Sequence, residues 1–427
     1  MRIAIVNENG SRVGGVETYL ETLIPALVQD GVDVAFLSEK AACQDAAAIV
    51  CAGEVPMWAA QELGTARALE ELAGWGADVV YAHGHLGLEL MRGLPGVAPV
   101  AFYAHGYYGT CITGAKSFKF PVARSCTKSL GPACLLHYYP HRCGGLNPYV
   151  MWKLYREEMA RREALRQFRL VLTASAHMHA EYLRHGFHPS MVRTVPYPVV
   201  NCGKSGELAW EKPRASSREA RLVFVGRMTM LKGGAMLIDA AERLHASTGW
   251  QIHVVFVGDG PERRRWERAA SAASAANPAL EFAFVGWFSP QKIDQLLKSN
   301  DLLVVPSLWP EPFGLVGPEA GLNGVPASAF DVGGVGEWLR EGVNGHLAPG
   351  DPPTAAGLAD AIVKCLADPA HYARLRQGAV EVAREFTMKR HLRMLLPILH
   401  SAAQGNCAAL SPQLPINSDG ARIQDAH

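Results

Sequence analysis

The sequence has no long apolar run: nothing in its 427 residues approaches the roughly 18 consecutive apolar residues that a bilayer-spanning helix needs. It has no excess of either charge. The 41 Lys and Arg stand against 40 Asp and Glu, a formal net charge of +1, whereas nucleic-acid binders usually carry a basic surplus. The opening MRIAIVNENG has too short an apolar stretch for a secretory signal and reads as a buried strand. No repeat recurs at a solenoid period, and no tract is of low complexity. Cysteine is sparse, nine in all, and an odd number without an export signal points to a reducing compartment and free or metal-bound thiols. What is present is 49% apolar and 19% charged residues, enough for substantial cores and too apolar for disorder. The expectation is a soluble cytoplasmic α/β protein long enough for two domains.

Strand-like apolar runs alternate with helix-length segments, the pattern of a doubly wound parallel sheet. A first series places strands at Arg2–Val6, Val34–Leu37, Val79–His83, Val100–His105 and Leu170–Ala174, with helices such as Gly15–Gln29 and Gln61–Gly74 between them. The charged, Ser-rich stretch 201–220 reads as a linker. A second series follows, with strands at Leu222–Gly226, Ile252–Gly258, Phe282–Gly286 and Leu302–Pro306. Its helices fall near Gly234–His245, Pro290–Ser299, Gly317–Gly324 and Thr354–Leu366. Because the array starts over, two α/β domains, 1–200 and 221–387, are expected rather than one large sheet. Ala379–Ala402 is helical in pattern, and the polar tail 404–427 reads as disordered.

Three features of the second half lie just beyond the carboxyl ends of strands, where a parallel sheet puts ligands. In LVFVGRMTMLKGG (222–234), a strand ends at Gly226, and Arg227 and Lys232 follow before the next helix, two cations suited to a diphosphate. In VVFVGDGPE (254–262), the strand ends in a tight turn at Gly258 that either holds a ligand or merely connects elements. In VVPSLWPEPFGLVGPEAGLNGVP (304–326), Glu311 precedes a Pro-Phe-Gly turn and a helix carrying Glu319 in its first turn. Between the two carboxylates, the amides of Phe313, Gly314 and Leu315 approach a helix amino terminus, where sugar hydroxyls or phosphate oxygens can be held.

These motifs resemble those of the family 4 glycosyltransferases, whose GT-B architecture sets two Rossmann-like domains face to face. Glu311 and Glu319 match the E-x7-E pair, Arg227 and Lys232 the GR-x4-KG element, and the VGDGPE turn and DVGGVGEWLREGVNGHL (331–347) also agree. The likeness is close over 220–400 and looser in the first half. It implies retaining transfer of a sugar from a UDP- or GDP-type donor to a glycan or lipid-linked glycan precursor, in polysaccharide biosynthesis, with no metal or other cofactor needed for transfer. The Arg and Lys would neutralise the leaving diphosphate. The Glu319 carboxylate would accept from the ribose, and Glu311 would hold hydroxyls of the sugar. The resemblance also implies a carboxyl-terminal helix, 388–403, that crosses back to the first domain. No Asp-x-Asp, a common metal-holding pair, stands near a strand end.

The first half would face the acceptor. NENGSRVGGVETYL (7–20) opens a helix at Gly14-Gly15 but lacks the G-x-G-x-x-G spacing. Two glycines there let a phosphate approach the amides. His83 and His105 both sit at strand ends, and the resemblance places His105 against the sugar, with His83 as the alternate. Residues 116–170 carry eleven basic and three acidic side chains. In that stretch Lys153, Arg156, Arg162, Arg166 and Arg169 recur at roughly helical spacing, as an ordinary solvated face or as a patch for an anionic membrane. Peripheral association with the inner face of a membrane is one expectation.

Four of the nine cysteines, Cys111, Cys126, Cys134 and Cys143, fall within 33 residues of a segment rich in Gly and Pro. Their spacing does not match paired C-x2-C knuckles. Core thiols, two disulfides and a structural zinc site (with His137 or His141 replacing one sulfur) all remain open, and the four sulfurs are expected to come together in space.

Overall fold

The structure is a computed structural model and describes residues 1–43, 48–50, 55–199 and 218–405. The first half begins with β1 (Arg2–Asn9), β2 (Asp33–Lys40), β3 (Met57–Ala59), β4 (Val79–His83) and β5 (Val100–Ala104). A separate small hairpin, β6 (Ser117–Phe118) and β7 (Arg124–Ser125), precedes β8 (Leu170–Thr173) and β9 (Val192–Thr194). Apart from the hairpin, these strands pair in parallel in the order β3-β2-β1-β4-β5-β8-β9. The central strands read as unbroken apolar runs because helices cover both faces: all five residues of β4 and of β5 are buried.

The second half repeats the scheme with β10 (Glu219–Val225), β11 (Gln251–Val257), β12 (Leu280–Gly286), β13 (Leu302–Val305), β14 (Ala327–Phe330) and β15 (Gly345–Ala348). Their order is β12-β11-β10-β13-β14-β15, all parallel. Counted from its own first strand, this is the 3-2-1-4-5-6 order of a dinucleotide-binding sheet. In both sheets the order reverses between the first and fourth strands, β1/β4 and β10/β13. Connections there run to opposite faces and leave a crevice at the carboxyl ends.

The final helix, Met388–Ala403, packs against β4, β5 and the helix Gly15–Gln29 of the first sheet. Its anchor is the buried His391. The ring Nε2 lies 2.8 Å from the Tyr19 hydroxyl, and Nδ1 lies 2.8 Å from the Pro196 carbonyl. Tyr19 in turn meets the Tyr81 hydroxyl at 3.1 Å.

Three departures from the sequence reading have local causes. The segment expected as one helix over Gln61–Gly74 breaks into Ala60–Leu63 and Thr65–Trp75 at Gly64, whose φ of +83° no helix accommodates. Ala379–Ala402 is likewise two helices, Pro369–Ala383 and Met388–Ala403. Phe386 turns inward between them, and the Thr387 side chain accepts from the Arg390 N–H to cap the second. The strands β3, β9, β14 and β15, three or four residues each, are too short for a periodic signal. The expected linker falls almost wholly outside the described residues, as does the tail from residue 406. Among the described residues, no helix is long and apolar enough to cross a membrane.

Burial holds His391 neutral, lowering its pKa to about 4; His105 is lowered to about 3 and His83 well below the ordinary value. Unfolded histidines titrate near 6.5, so below that pH the unfolded chain binds more protons than the folded one. The contribution of these rings is complete above about pH 6.5 and is lost as pH falls toward 4. The melting temperature should therefore drop between about pH 7 and pH 5, and His391→Gln should shallow that drop. Equal slopes in the two proteins would remove His391 from this account.

Candidate active site

The loops at the β10/β13 reversal hold the site. After β10 the chain passes Gly226 and Arg227, makes a single turn at Met230–Lys232 and enters the helix Gly234–Thr248. The loops are pressed together at backbone level. A Cβ on Gly233 (φ +72°) would collide with the Pro306 carbonyl after β13, and one on Gly258 (φ +120°) with the Gly226 carbonyl. Gly258 thus serves first to let adjacent strand ends approach, its missing Cβ making room for the Gly226 carbonyl. The Gly226 N–H donates to Val257 at 3.0 Å, and the Met228 N–H to the Asp259 carbonyl at 2.8 Å.

Lys232 and Glu311, 79 residues apart, meet here: Nζ lies 2.6 Å from Glu311 Oε1. Glu311 is buried, and the Ser307 hydroxyl also donates to it. Lys232 stays partly exposed, with its ammonium 5.3 Å from the centre of the Trp309 ring. An ammonium has three N–H donors, so one bond to Glu311 leaves others to face the crevice. Arg227 is exposed, and its guanidinium has no partner among the described residues.

The helix after the Pro-Phe-Gly turn spans Val316–Leu322 and carries Glu319 in its first turn. Glu319 keeps part of its surface open, yet burial raises its carboxyl to about 7, and Asp294 adds to the shift. Among the described residues no side chain meets that carboxylate. Gly314 (φ +93°) turns the chain over the Trp338 ring, and the N–H groups of Gly314 and Leu315 find no acceptor among the described residues. Phe313, expected to offer only its amide, is fully buried: its ring lies 5.7 Å from Tyr197 and 5.4 Å from Phe386.

The first half grips this loop on both sides of Glu311. The Tyr107 hydroxyl donates to the Pro310 carbonyl at 2.7 Å, and the Ser175 hydroxyl to the Pro312 carbonyl at 2.7 Å. The Ala176 N–H donates to Glu337 at 2.5 Å. Sequence reading missed Tyr107 and Ser175, because a lone hydroxyl at a strand end carries no signal until its distant partner is known.

On the β1/β4 side, Gly14 caps the helix Gly15–Gln29 and its N–H donates to Glu17 at 2.8 Å. The buried Glu17 also accepts from Asn9 at 3.1 Å and Asn7 at 3.4 Å, fixing the loop. It too went unread. Gly14 is in extended backbone, and a Cβ on Gly15 would meet open space, so neither local conformation nor packing demands glycine at these positions. His105 has both ring nitrogens engaged, Nε2 with His83 at 2.9 Å and Nδ1 with the Tyr197 hydroxyl. It reaches the donor-side loop through Tyr197, whose ring meets Phe313 edge to face. His83 is fully buried with Nε2 unpartnered. Cys111, Cys126, Cys134 and Cys143 are free thiols lining one cavity in the 109–145 segment.

Two family models match the chain: one described as glycosyl transferases group 1 over residues 208–382, the other as Glycosyltransferase Family 4 over 13–200. A relative from Corynebacterium efficiens, named D-inositol 3-phosphate glycosyltransferase, is 32% identical over 208 residues, 47% of this chain and 46% of its own length. The match thus spans about half the length of such curated relatives. Among solved structures, Anabaena HepE in complex with UDP superposes with a TM-score of 0.65 at 19% identity, covering 94% of this chain and all of that one. Sucrose-phosphate synthase from Thermosynechococcus elongatus gives 0.62 at 21% identity, covering 94% and 99%. At these identities the superpositions speak for the architecture alone. The paired sheets, the helix that crosses back and the two family matches, which together account for most of the sequence, agree: the chain belongs to the family 4 glycosyltransferases and has their GT-B fold.

Proposed function

We propose that the chain transfers a sugar, with retention of configuration, from a uridine or guanosine diphosphate sugar to a glycan or lipid-linked glycan precursor. The observation that carries this reading is the Lys232–Glu311 pair at the β10/β13 reversal, with Arg227, which has no partner among the described residues, on the loop that carries Lys232, and the partly exposed Glu319 on the helix that follows Glu311. Anabaena HepE, solved with UDP and with UDP-glucose, supports a nucleotide-sugar donor.

As the bond from sugar to diphosphate breaks, negative charge grows on the leaving oxygens, and Arg227 and Lys232 are fixed cations placed to meet it. Glu311 holds the Lys232 ammonium in place and offers its remaining lone pairs to sugar hydroxyls. Glu319 accepts from the ribose, and the amides of Gly314 and Leu315 donate to the sugar. Transfer needs no divalent ion in this scheme. A nucleotide-sugar hydrolase or epimerase on the same fold would turn over the donor without an acceptor, so a donor-only assay separates the two. A non-catalytic nucleotide-sugar binder would show no turnover in either assay.

Arg227→Ala should lower turnover about 30- to 1,000-fold, roughly 2–4 kcal/mol of transition-state stabilisation, with the melting temperature unchanged. Lys232→Ala should lower turnover as much and also some stability, because it leaves Glu311 buried without its cation. Assays run in EDTA should retain full activity; complete loss restored by magnesium would refute the scheme. Undiminished turnover in both folded variants would remove the cations from it.

Glu319→Gln should weaken donor binding. Because the carboxyl titrates near 7, wild-type donor affinity should rise from about pH 6 to pH 8, and the variant should show no such rise. Calorimetric titration at three pH values decides the point; parallel profiles would sink the role.

The membrane part of the proposal rests on fewer cations than the sequence suggested. Arg162 donates to the Leu130 carbonyl, Arg166 to Glu163 and the His185 carbonyl, and Arg169 to the Gly405 carbonyl. Lys153 and Arg156 remain exposed. Beside them stand Leu136, Leu146, Tyr149 and Trp152, exposed by 77%, 82%, 74% and 48%. Aromatic and basic groups mixed in this way suit the headgroup layer of an anionic bilayer. The protein should sediment with anionic vesicles at low salt and not with neutral ones, and Trp152→Ala with Lys153→Ala should abolish the difference. Indifference of the wild type to lipid charge would make this ordinary surface.

A further inference from the structure

The segment 109–145 is poor in everything that usually holds a chain in one conformation. It contains one two-strand hairpin with two residues per strand and one six-residue helix, Ala133–Tyr138. Its core is small: Ile112, Leu130 and Tyr138 are buried, with Cys134, Leu135 and Cys143 and, from the helix Pro148–Arg166, Met151, Leu154, Tyr155 and Met159 packed against them. Fixing a residue's backbone costs about 1–2 kcal/mol, and so small a cluster offsets little of that over such a length. The base of the segment is tied to the domain: the buried Lys116 pairs with Glu181, and the Leu130 N–H donates to His185 Nε2 at 2.8 Å. The far part rests on the packing of the helix Ala133–Tyr138 against the helix Pro148–Arg166.

All four cysteines line a single cavity there, together with His137 and Lys128. Cys143 is within electrostatic reach of the other three sulfurs. Cys111 Sγ accepts the Lys116 N–H at 3.3 Å, the kind of bond that supports a charged sulfur. Among the described residues, the only non-glycine positions with positive φ are Lys116 (+45°) and Arg142 (+50°), both in this segment. One donates to Cys111 and the other immediately precedes Cys143. Strain of this kind persists only where the surroundings over-determine it.

We propose that Cys111, Cys126, Cys134 and Cys143 bind one structural zinc ion. Each thiol releases its proton to solvent as its sulfur bonds the ion, four protons for one Zn2+, with no electron transferred. The four thiolates leave a net charge of −2, which Lys128 at the cavity wall and the nearby Lys116 and Lys119 oppose. The cavity, about 30 Å3, has room for one ion. Among the described residues, no three such side chains already converge as ligands, so zinc must draw the sulfurs inward from the wall. His137 lines the same cavity, whereas His141 is bonded to the Phe120 carbonyl and stacked on Phe118, which leaves it out of the ligand set. The ion is remote in chemistry from donor binding. It stiffens the segment that carries the exposed Leu136.

The test is metal content of untagged protein by plasma mass spectrometry, with thiol titration. About one zinc per chain is expected, released in step with modification of four thiols by a mercurial. Cys126→Ser and Cys134→Ser should lose the zinc and melt lower while keeping wild-type affinity for the nucleotide sugar; Cys43→Ser, exposed elsewhere, should keep the metal. Zinc-free protein with four freely reactive thiols, two disulfides by mass, or bound iron would each overturn the proposal. The wild-type measurement decides even if the serine variants fail to fold.

Discussion

The site depends on one constraint: a buried carboxylate must have a cation. Glu311 lies under the loop that follows β13, where desolvation would be prohibitive without Lys232, and Lys232 is delivered by the loop that follows β10. The pair therefore fixes two loops from opposite sides of the sheet reversal in one geometry. Because Lys232 remains partly exposed and keeps donors to spare, the same contact that holds the loops together presents a positioned cation to the crevice. Arg227 has no such duty within the fold. An exposed cation with no partner among the described residues, on the same strand-end loop as a lysine with donors to spare, is an arrangement suited to an anion.

The first half contributes by constraint rather than by charge. Tyr107 and Ser175 hold the carbonyls on either side of Glu311, and Tyr197 and Phe386 enclose Phe313. The crossing helix fastens back through His391. These polar ties lie beside apolar packing, since Tyr19, Tyr103 and Tyr197 share one buried cluster with Phe313, Phe386, Leu395 and Leu399. Changes in the crevice would thus be felt directly at Glu311, through the backbone that Tyr107 and Ser175 grip.

Much of this was legible in the sequence. The repeat of strand-helix alternation predicted two doubly wound sheets, because both faces of each are covered and the central strands read as unbroken apolar runs. Arg227, Lys232, Glu311 and Glu319 were visible because they follow strand ends at characteristic spacing. What could not be read were contacts between residues far apart in the chain. Tyr107 with Pro310, Ser175 with Pro312 and the Asn7–Asn9–Glu17 lock have no local pattern. The basic helix shows the same limit: spacing identified the helix Pro148–Arg166, but not that Arg162 and Arg166 spend donors on carbonyls of neighbouring segments. His105 stood out at a strand end, but it was not legible there that both its ring nitrogens are engaged, by His83 and Tyr197, residues distant in the chain.

The central claim is that a nucleotide sugar sits against the loops of the β10/β13 reversal. Hydrogen exchange with and without saturating UDP-glucose or GDP-mannose, read peptide by peptide, tests it most directly. The account predicts that one of these donors slows exchange in 222–234 and in 306–322, where amides at Gly314 and Leu315 have no acceptor among the described residues, with little change at the outer strands β12 and β15. A donor that binds and protects only peptides of the first sheet, leaving both of those loops unchanged, would contradict it.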